Sequence, residues 1–324
     1  MKLLVTGGAG FIGSYFIRQW LSTKPSDEII NLDILSYAAS EQTIAEFNKF
    51  PNYRFVRGDI CDEKLVNDLV AEVDLIVHFA AESHVDRSIL SSRDFIRTNV
   101  EGTRVLLEAA RLQNPPVRFH HVSTDEVFGT LLPDDPKFTE NNPYDPRSPY
   151  SASKAASDHL VRAYFHTYKL PITISNCSNN YGPYQFPEKL IPRFIANLID
   201  GKKVPLYGRG DNIRDWIFVG DHVAGIMKII EKGRLGETYC LGGNNETSNL
   251  EIARRLIAAL SRDESAIEYV NDRPGHDFRY AIDSSKARRE LGWKAEVSFE
   301  TGLKETVQWY TDNEAWWRPL LAKL

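Results

Sequence analysis

The sequence predicts an α/β protein, a doubly wound parallel sheet followed by a smaller C-terminal α/β lobe. Short β-branched and apolar runs alternate with helical stretches through the first half of the chain. A glycine-rich turn follows the first run, and from about Asn179 the alternation gives way to proline- and glycine-rich loops. A length of 324 residues suffices for two lobes sharing a cleft.

Taken in order, Leu3–Thr6, Ile29–Asp33, Tyr53–Val56, Leu75–Phe79, Phe119–Ser123 and Ile172–Asn176 read as strands. Ile12–Ser22, Glu63–Ala71, Asn99–Gln113 and Ala152–Tyr168 carry apolar residues at helical spacing. Beyond Asn179, Gly182-Pro183, Phe186-Pro187, Ile191-Pro192 and Val204-Pro205 interrupt the rhythm. Trp216–Val219 is expected to return as a strand to the first sheet, and Thr238–Leu241 to lie near the lobe junction. The expected division is therefore discontinuous, with 1–178 and about 215–240 in the first lobe and about 179–214 and 241–324 in the second. Leu250–Ser261 and Ser285–Leu291 read as amphipathic helices of the second lobe, and Thr301–Asn313 as a closing helix.

Composition narrows the classes. Hydrophobic residues at 42% and charged residues at 26% fit a folded domain, and no apolar run is long enough to cross a membrane. The opening Met1–Thr6 run leads straight into a turn, so a strand rather than a signal peptide is expected, and with it a cytoplasmic location. A formal charge of -5 offers no broad attraction to nucleic acid or anionic lipid. Cys61, Cys177 and Cys240 are too few and too scattered for a disulfide framework or a zinc site, and no metal is expected.

Thr6-Gly7-Gly8-Ala9-Gly10-Phe11-Ile12-Gly13 follows a strand and opens a helix. Gly7 and Gly10 would let the backbone turn and approach a pyrophosphate, Gly13 would let the helix pack closely on the sheet, and the free N–H groups of the helix start would face the phosphates. A glycine triplet alone fits an ordinary turn. Strand, turn, helix and Asp33 at the end of the next strand together read as a Rossmann dinucleotide site. Asp33 would accept from the adenosine ribose hydroxyls and repel a 2′-phosphate, so NAD is expected rather than NADP; Asp59 and Ile60 sit where an adenine contact is expected.

Tyr150-Ser151-Ala152-Ser153-Lys154 places a phenol and an ammonium one helical turn apart, where Lys154 would lower the phenol pKa and make Tyr150 a usable base. With the nucleotide turn and a strand ending in Ser123-Thr124, this resembles the extended short-chain dehydrogenase/reductase superfamily. Asp125-Glu126 narrows the reading. Two adjacent acids are ordinarily a solvated surface feature, but at the carboxyl end of an α/β strand they point into the ligand crevice. In this place they resemble the Thr-Asp-Glu motif of the dTDP-glucose 4,6-dehydratases. Further blocks are similar to that family: Ala80–Ser88, Asn179–Gln185, Pro187–Pro192, Pro205–Gly208, Arg214–Trp216 and Asp272–Asp277.

The resemblance implies a lyase that removes water from dTDP-glucose by transient oxidation at C4, elimination across C5 and C6, and reduction at C6. Tyr150, assisted by Thr124, would take the 4-hydroxyl proton, Glu126 the C5 proton, and Asp125 would protonate the departing C6 hydroxyl. Phe79, Ala80, Ala81 and Ser83, with Thr98 and Asn180, would join Tyr150 and Lys154 at NAD. Ser83, His84, Thr124, Asn179, Lys189 and Leu190 would line the sugar-nucleotide path, continued by Pro205, Leu206 and Tyr207. Arg214 and Arg273 are the expected diphosphate partners, since guanidinium forks suit phosphate oxygens, with Asn249 and His276 beside them. A homodimer through Asn99–Gln113 and Ala152–Tyr168 is expected by the same resemblance.

Phe128 stands where the family commonly has Tyr, which would remove a hydroxyl near the active site, and Tyr37-Ala38-Ala39 lacks the usual glycine. His120 and His121 read as packing residues, and Trp309, Trp316 and Trp317 as closing a core or an interface. The rival readings are a UDP-sugar 4-epimerase or decarboxylase of the same fold, with Asp125 and Glu126 accidental, and a non-catalytic NAD-binding regulator. Intact Thr124, Tyr150 and Lys154 argue against the regulator.

Overall fold

The computed structural model describes residues 1–323. Seven strands form the main sheet: β1 (Lys2–Thr6), β2 (Glu28–Asp33), β3 (Tyr53–Arg57), β4 (Leu75–His78), β5 (Arg118–Thr124), β6 (Ile172–Cys177) and, after three strands of the second lobe, β10 (Thr238–Leu241). Their order is β10-β6-β5-β4-β1-β2-β3, and every pairing is parallel. The order reverses between β1 and β4, which leaves a crevice beyond their carboxyl ends.

Helices cover both faces, so β1 and β4 are apolar on both sides rather than alternating. On one face, Phe16, Ile17 and Trp20 of helix Phe11–Thr23 meet Val223 and Ile226 of helix Val219–Lys232. On the other, Val66, Leu106 and Val161 come from helices Glu63–Val70, Thr103–Arg111 and Pro149–Tyr168.

The second lobe holds two small sheets, β7 (Asn179–Tyr181) with β9 (Ile213–Phe218) and β11 (Glu246–Ser248), and β8 (Val204–Tyr207) with β12 (Ile267–Val270). Helices Leu190–Ile199, Asn249–Ala259 and Phe299–Asp312 pack on one another in its core, closed by Trp316 and Trp317. Trp309 packs on Tyr184, with ring centroids 4.6 Å apart.

The expected placement of the two later strands is corrected. The segment containing Trp216 joins the three-stranded sheet, and Thr238–Leu241 becomes the edge of the main sheet beside β6. Helix Val219–Lys232 supplies the crossover that a parallel neighbour requires. Alternation along β9 explains the rest, because Ile217 faces the first core while Trp216 and Phe218 face the second. The stretch expected as one helix from Asn99 begins earlier, as a π-helical turn at Ile96–Gly102, and continues as α-helix over Thr103–Arg111.

Candidate active site

A crevice of about 540 Å3 opens beyond the carboxyl ends of β1, β2, β4, β5 and β6. Gly7, with φ of 73°, has no room for a side chain: an added Cβ would lie 2.6 Å from the Ala80 amide nitrogen. At Gly10 such a carbon would meet only the Gly7 carbonyl oxygen, at 3.3 Å, so this part of the turn is open to a ligand. Gly13 makes room for the turn itself, 2.4 Å from the Gly7 oxygen, rather than for the sheet. Gly8, not assigned from sequence, brings helix and sheet together, since a Cβ there would strike Asn31 and Ile17.

No side chain caps helix Phe11–Thr23, and Phe11, Ile12 and Gly13 line the crevice, leaving its amino end to attract an anion. Asp33 accepts from the Ala9 N–H at 2.9 Å and the Leu35 N–H at 2.8 Å, and each oxygen keeps a lone pair for another donor. Asp59 pairs with Arg97 at 2.6 Å. Every residue assigned to the cofactor from sequence, from Gly7 to Asn180, lies on the crevice wall. An uncapped helix end, a side-chain-free turn and a carboxylate at the β2 end are the groups a dinucleotide needs.

Asn99 was missed. It sits in the π-helical turn, accepts from the Glu82 N–H at 2.8 Å, and donates to the Glu82 carbonyl at 3.0 Å and Ser153 Oγ at 2.8 Å. It thereby pins the Ala80–Ser83 wall to the helix carrying Tyr150. Only the irregular turn reveals it, since π-bulges gather at functional sites.

Deeper in, Thr124, Asp125, Glu126, Tyr150 and Lys154 all line the same crevice. Thr124 ends β5 and caps the short turn Asp125–Phe128 by accepting from the Glu126 N–H at 3.2 Å. Asp125 is buried, with one oxygen on the Thr124 hydroxyl at 3.4 Å and the other without a partner. Burial, then Glu126 and Asp215, push its proton affinity well above the ordinary carboxyl range. Burial also lifts Glu126, but Arg273, Arg214 and Lys189 oppose it. Both carboxyls are thus raised, Asp125 the more strongly, so a single proton on the pair favours Asp125.

One expectation is corrected here. The Tyr150 phenol does not sit low in this arrangement; burial, Glu126 and Cys177 push it well above its ordinary range. The Lys154 ammonium instead donates to the Val122 carbonyl at 2.9 Å and to His121 Nε2 at 3.4 Å. His121 is thus not mere packing, whereas His120 bonds only to Thr173 and Ser175 hydroxyls. Among the described residues no cluster of His, Cys, Asp and Glu could hold a metal ion.

On the second-lobe side, Ser83, Asn179 and Lys189 reach the crevice wall, and Lys189 Nζ donates to the Ser83 carbonyl at 2.7 Å. His84, Leu190, Pro205, Leu206, Tyr207, Arg214, Asn249, Arg273 and His276 stand outside that wall. His84 lies 3.8 Å from Glu188, and Asp86 draws Tyr207 to 3.3 Å and Arg273 to 3.5 Å. His276 pairs with Asp272 at 2.6 Å. Leu190 and Pro205 are half-buried, whereas the Leu206 side chain belongs to the second-lobe core, so only its backbone is free for a ligand. Arg214 is held from within the chain. Its guanidinium donates to the carbonyls of Ile213 at 2.7 Å and Asp277 at 2.9 Å and stacks over Tyr280. Asn249 is buried with an unpartnered Oδ1 at the start of its helix.

The chain matches the family model described as GDP-mannose 4,6 dehydratase over residues 4–306. It is 50% identical over 341 residues to the dTDP-glucose 4,6-dehydratase of Neisseria meningitidis, covering 99% of this chain and 96% of that protein. It belongs to the dTDP-glucose 4,6-dehydratase family. A solved dehydratase of this family, DesIV from Streptomyces venezuelae with NAD bound, superposes with a TM-score of 0.96 at 51% identity, over 99% of this chain and 100% of that one. The UDP-glucose 4-epimerase of Thermotoga maritima is more distant, at 28% identity and a TM-score of 0.89 over 97% and 100% of the two chains.

The two departures from the dehydratase pattern acquire physical readings. Phe128 does not face the crevice; it stacks on Phe138 at 5.2 Å and meets the edge of Tyr144 at 5.1 Å in an apolar cluster. Ala39 lines the crevice but is not among the residues with positive φ, so that position does not demand glycine.

Proposed function

We propose that the protein is an NAD-dependent dTDP-glucose 4,6-dehydratase, a hydro-lyase that yields dTDP-4-keto-6-deoxyglucose. The observation that carries this reading is the placement of two carboxyls, Asp125 and Glu126, on the crevice wall beside Thr124 and Tyr150. An enzyme that only epimerises at C4 has no use for a second acid–base pair there.

The glycine turn, the helix end and Asp33 would hold NAD, with Thr98 and Asn180 along the same wall. When bound, NAD accepts hydride from C4 of the sugar and returns it to C6. Tyr150 removes the 4-hydroxyl proton, with the Thr124 hydroxyl on the same crevice wall. The ketone at C4 acidifies the C5 hydrogen, which Glu126 takes as base while Asp125 delivers its proton to the departing C6 hydroxyl. Glu126 then returns its proton to C5 as hydride enters C6. The proton that Tyr150 took from the 4-hydroxyl makes good the one Asp125 lost with the departing water, so atoms balance and NAD is regenerated. Lys189 and Arg273 supply cationic charge on the substrate side, and Arg214 shapes the loop around Asp277.

The reading includes two lobes sharing the crevice, a cytoplasmic homodimer and dTDP-glucose as the substrate. No helix among the described residues is long and apolar enough to cross a membrane, and all three cysteines are free thiols. Incubation with dTDP-glucose, followed by alkali, tests the activity through the absorbance band of a 4-keto-6-deoxy product. Recovery of the substrate unchanged, or as its C4 epimer, would overturn it.

A further inference from the structure

Lys154 lies on the crevice wall, and its ammonium is buried. A cation out of water needs a counterion. One turn further along the same helix lies Asp158, with no exposure to solvent. Its Oδ1 is 3.2 Å from His121 Nε2, the same nitrogen that lies 3.4 Å from Lys154 Nζ. Its Oδ2 accepts from Tyr144 OH at 2.8 Å and Asn176 Nδ2 at 3.2 Å. Tyr144 in turn accepts from Arg162 at 2.7 Å. Three secondary-structure elements thus converge on one buried carboxylate that touches neither the crevice nor any reacting atom.

We propose that Asp158 is a positioning residue for the reaction, the buried counterion that acts across His121 to hold the Lys154 ammonium at the foot of Tyr150. The ionisable groups around Lys154 are Tyr150 and Asp158 on its own helix, His121 on β5, His78 on β4 and Cys177 on β6, with Arg162 behind Asp158. Asp158 is the carboxylate that bears on Lys154 and opposes the effect of burial, which pushes the ammonium down to about 8. His121, held down to about 4 by burial and Lys154, is neutral, so no second cation stands between Lys154 and Asp158 and their attraction is through space rather than through a hydrogen-bond chain. Near neutral pH the balance leaves Lys154 charged, which the phenolate of Tyr150 needs beside it. This part of the inference rests on the proposed dehydratase activity; the ion pair itself does not.

Two measurements separate those parts. In thermal unfolding of the NAD-saturated full chain, Asp158→Asn should lower Tm at pH 7, and the deficit should shrink by pH 9, where Lys154 has lost its proton and no longer needs the carboxylate. A deficit equal at both pH values would mark Asp158 as packing only and overturn the ion pair. In stopped-flow mixing with dTDP-glucose, the rate of absorbance rise at 340 nm should fall at high pH, and Asp158→Asn should move that fall about one pH unit lower. Arg162→Met, which strips a competing cation from a half-buried site, should move it higher, and this arm decides if Asp158→Asn does not fold. An alkaline limb unmoved in Arg162→Met overturns the proposal. Absence of any 340 nm signal in the unaltered enzyme would sink the dehydratase reading and leave the unfolding result to judge Asp158.

Discussion

Asp125 and Glu126 are consecutive in the chain yet stand in opposite fields. Asp125 faces Glu126 and Asp215, with one buried oxygen lacking any partner, whereas Arg273, Arg214 and Lys189 bear on Glu126. Burial raises the proton affinity of both, and the charges around them make the rise stronger at Asp125 than at Glu126.

Substituting Glu126→Gln should abolish exchange of the C5 hydrogen with solvent while absorbance at 340 nm still rises on adding dTDP-glucose. The loss in product formation should be about 10²–10⁴-fold, the usual contribution of a positioned base. Persistent exchange, measured by deuterium incorporation, would exclude Glu126 as the base.

Asp125→Asn should raise thermal stability while lowering turnover. The sign follows from linkage: the folded state holds the Asp125 proton more tightly than the unfolded chain, so its contribution is complete below the unfolded pKa and is lost as pH rises through the folded one. An amide removes that dependence. Each tenfold difference in proton affinity corresponds to about 1.4 kcal/mol, so the gain in Tm should be larger at pH 7 than at pH 4.5.

Gly7→Ala should destabilise the fold by about 1–3 kcal/mol and release the cofactor. Alanine at φ of 73° is strained, and its Cβ would press on Phe79–Ala80 backbone that has nowhere to move. Chemical unfolding reports the first effect, and the ratio of absorbance at 260 and 280 nm after gel filtration the second.

Tyr37 joins the cofactor-side loop to the second lobe. Its hydroxyl donates to Glu188 at 3.0 Å, its ring meets Phe186 edge-on, and Arg87 stacks 3.6 Å from its centroid. Tyr37→Ala should speed dissociation of NAD, seen as loss of bound nucleotide on dialysis. Tyr37→Phe, which keeps the ring contacts, should do so less, since one hydrogen bond contributes about 0.5–1.5 kcal/mol.

Phe128→Ala should cost about 3–5 kcal/mol by opening the cluster with Phe138 and Tyr144, as measured by urea unfolding. Bound NAD should be retained, because Phe128 does not line the crevice.

The chain by itself determined whatever depends on residues close together along it. The turn from Gly7 to Gly13, the acids after Thr124 and the Tyr150 to Lys154 spacing are local patterns, and strand and helix periodicity placed them at the sheet's carboxyl edge. Only the tertiary structure decided relations between distant segments. Trp216 left its expected place in the main sheet, and Thr238, expected near the lobe junction, became that sheet's edge, because a strand's partners depend on which core each face meets. Arg214 turned to backbone carbonyls of Asp277 and Phe278, more than sixty residues away. Lys154 turned to the Val122 carbonyl and to His121, and burial, then Glu126 and Asp215, raised the proton affinity of Asp125. Proton affinity is set by burial and by charges brought from elsewhere in the chain, and neither is a property of local sequence.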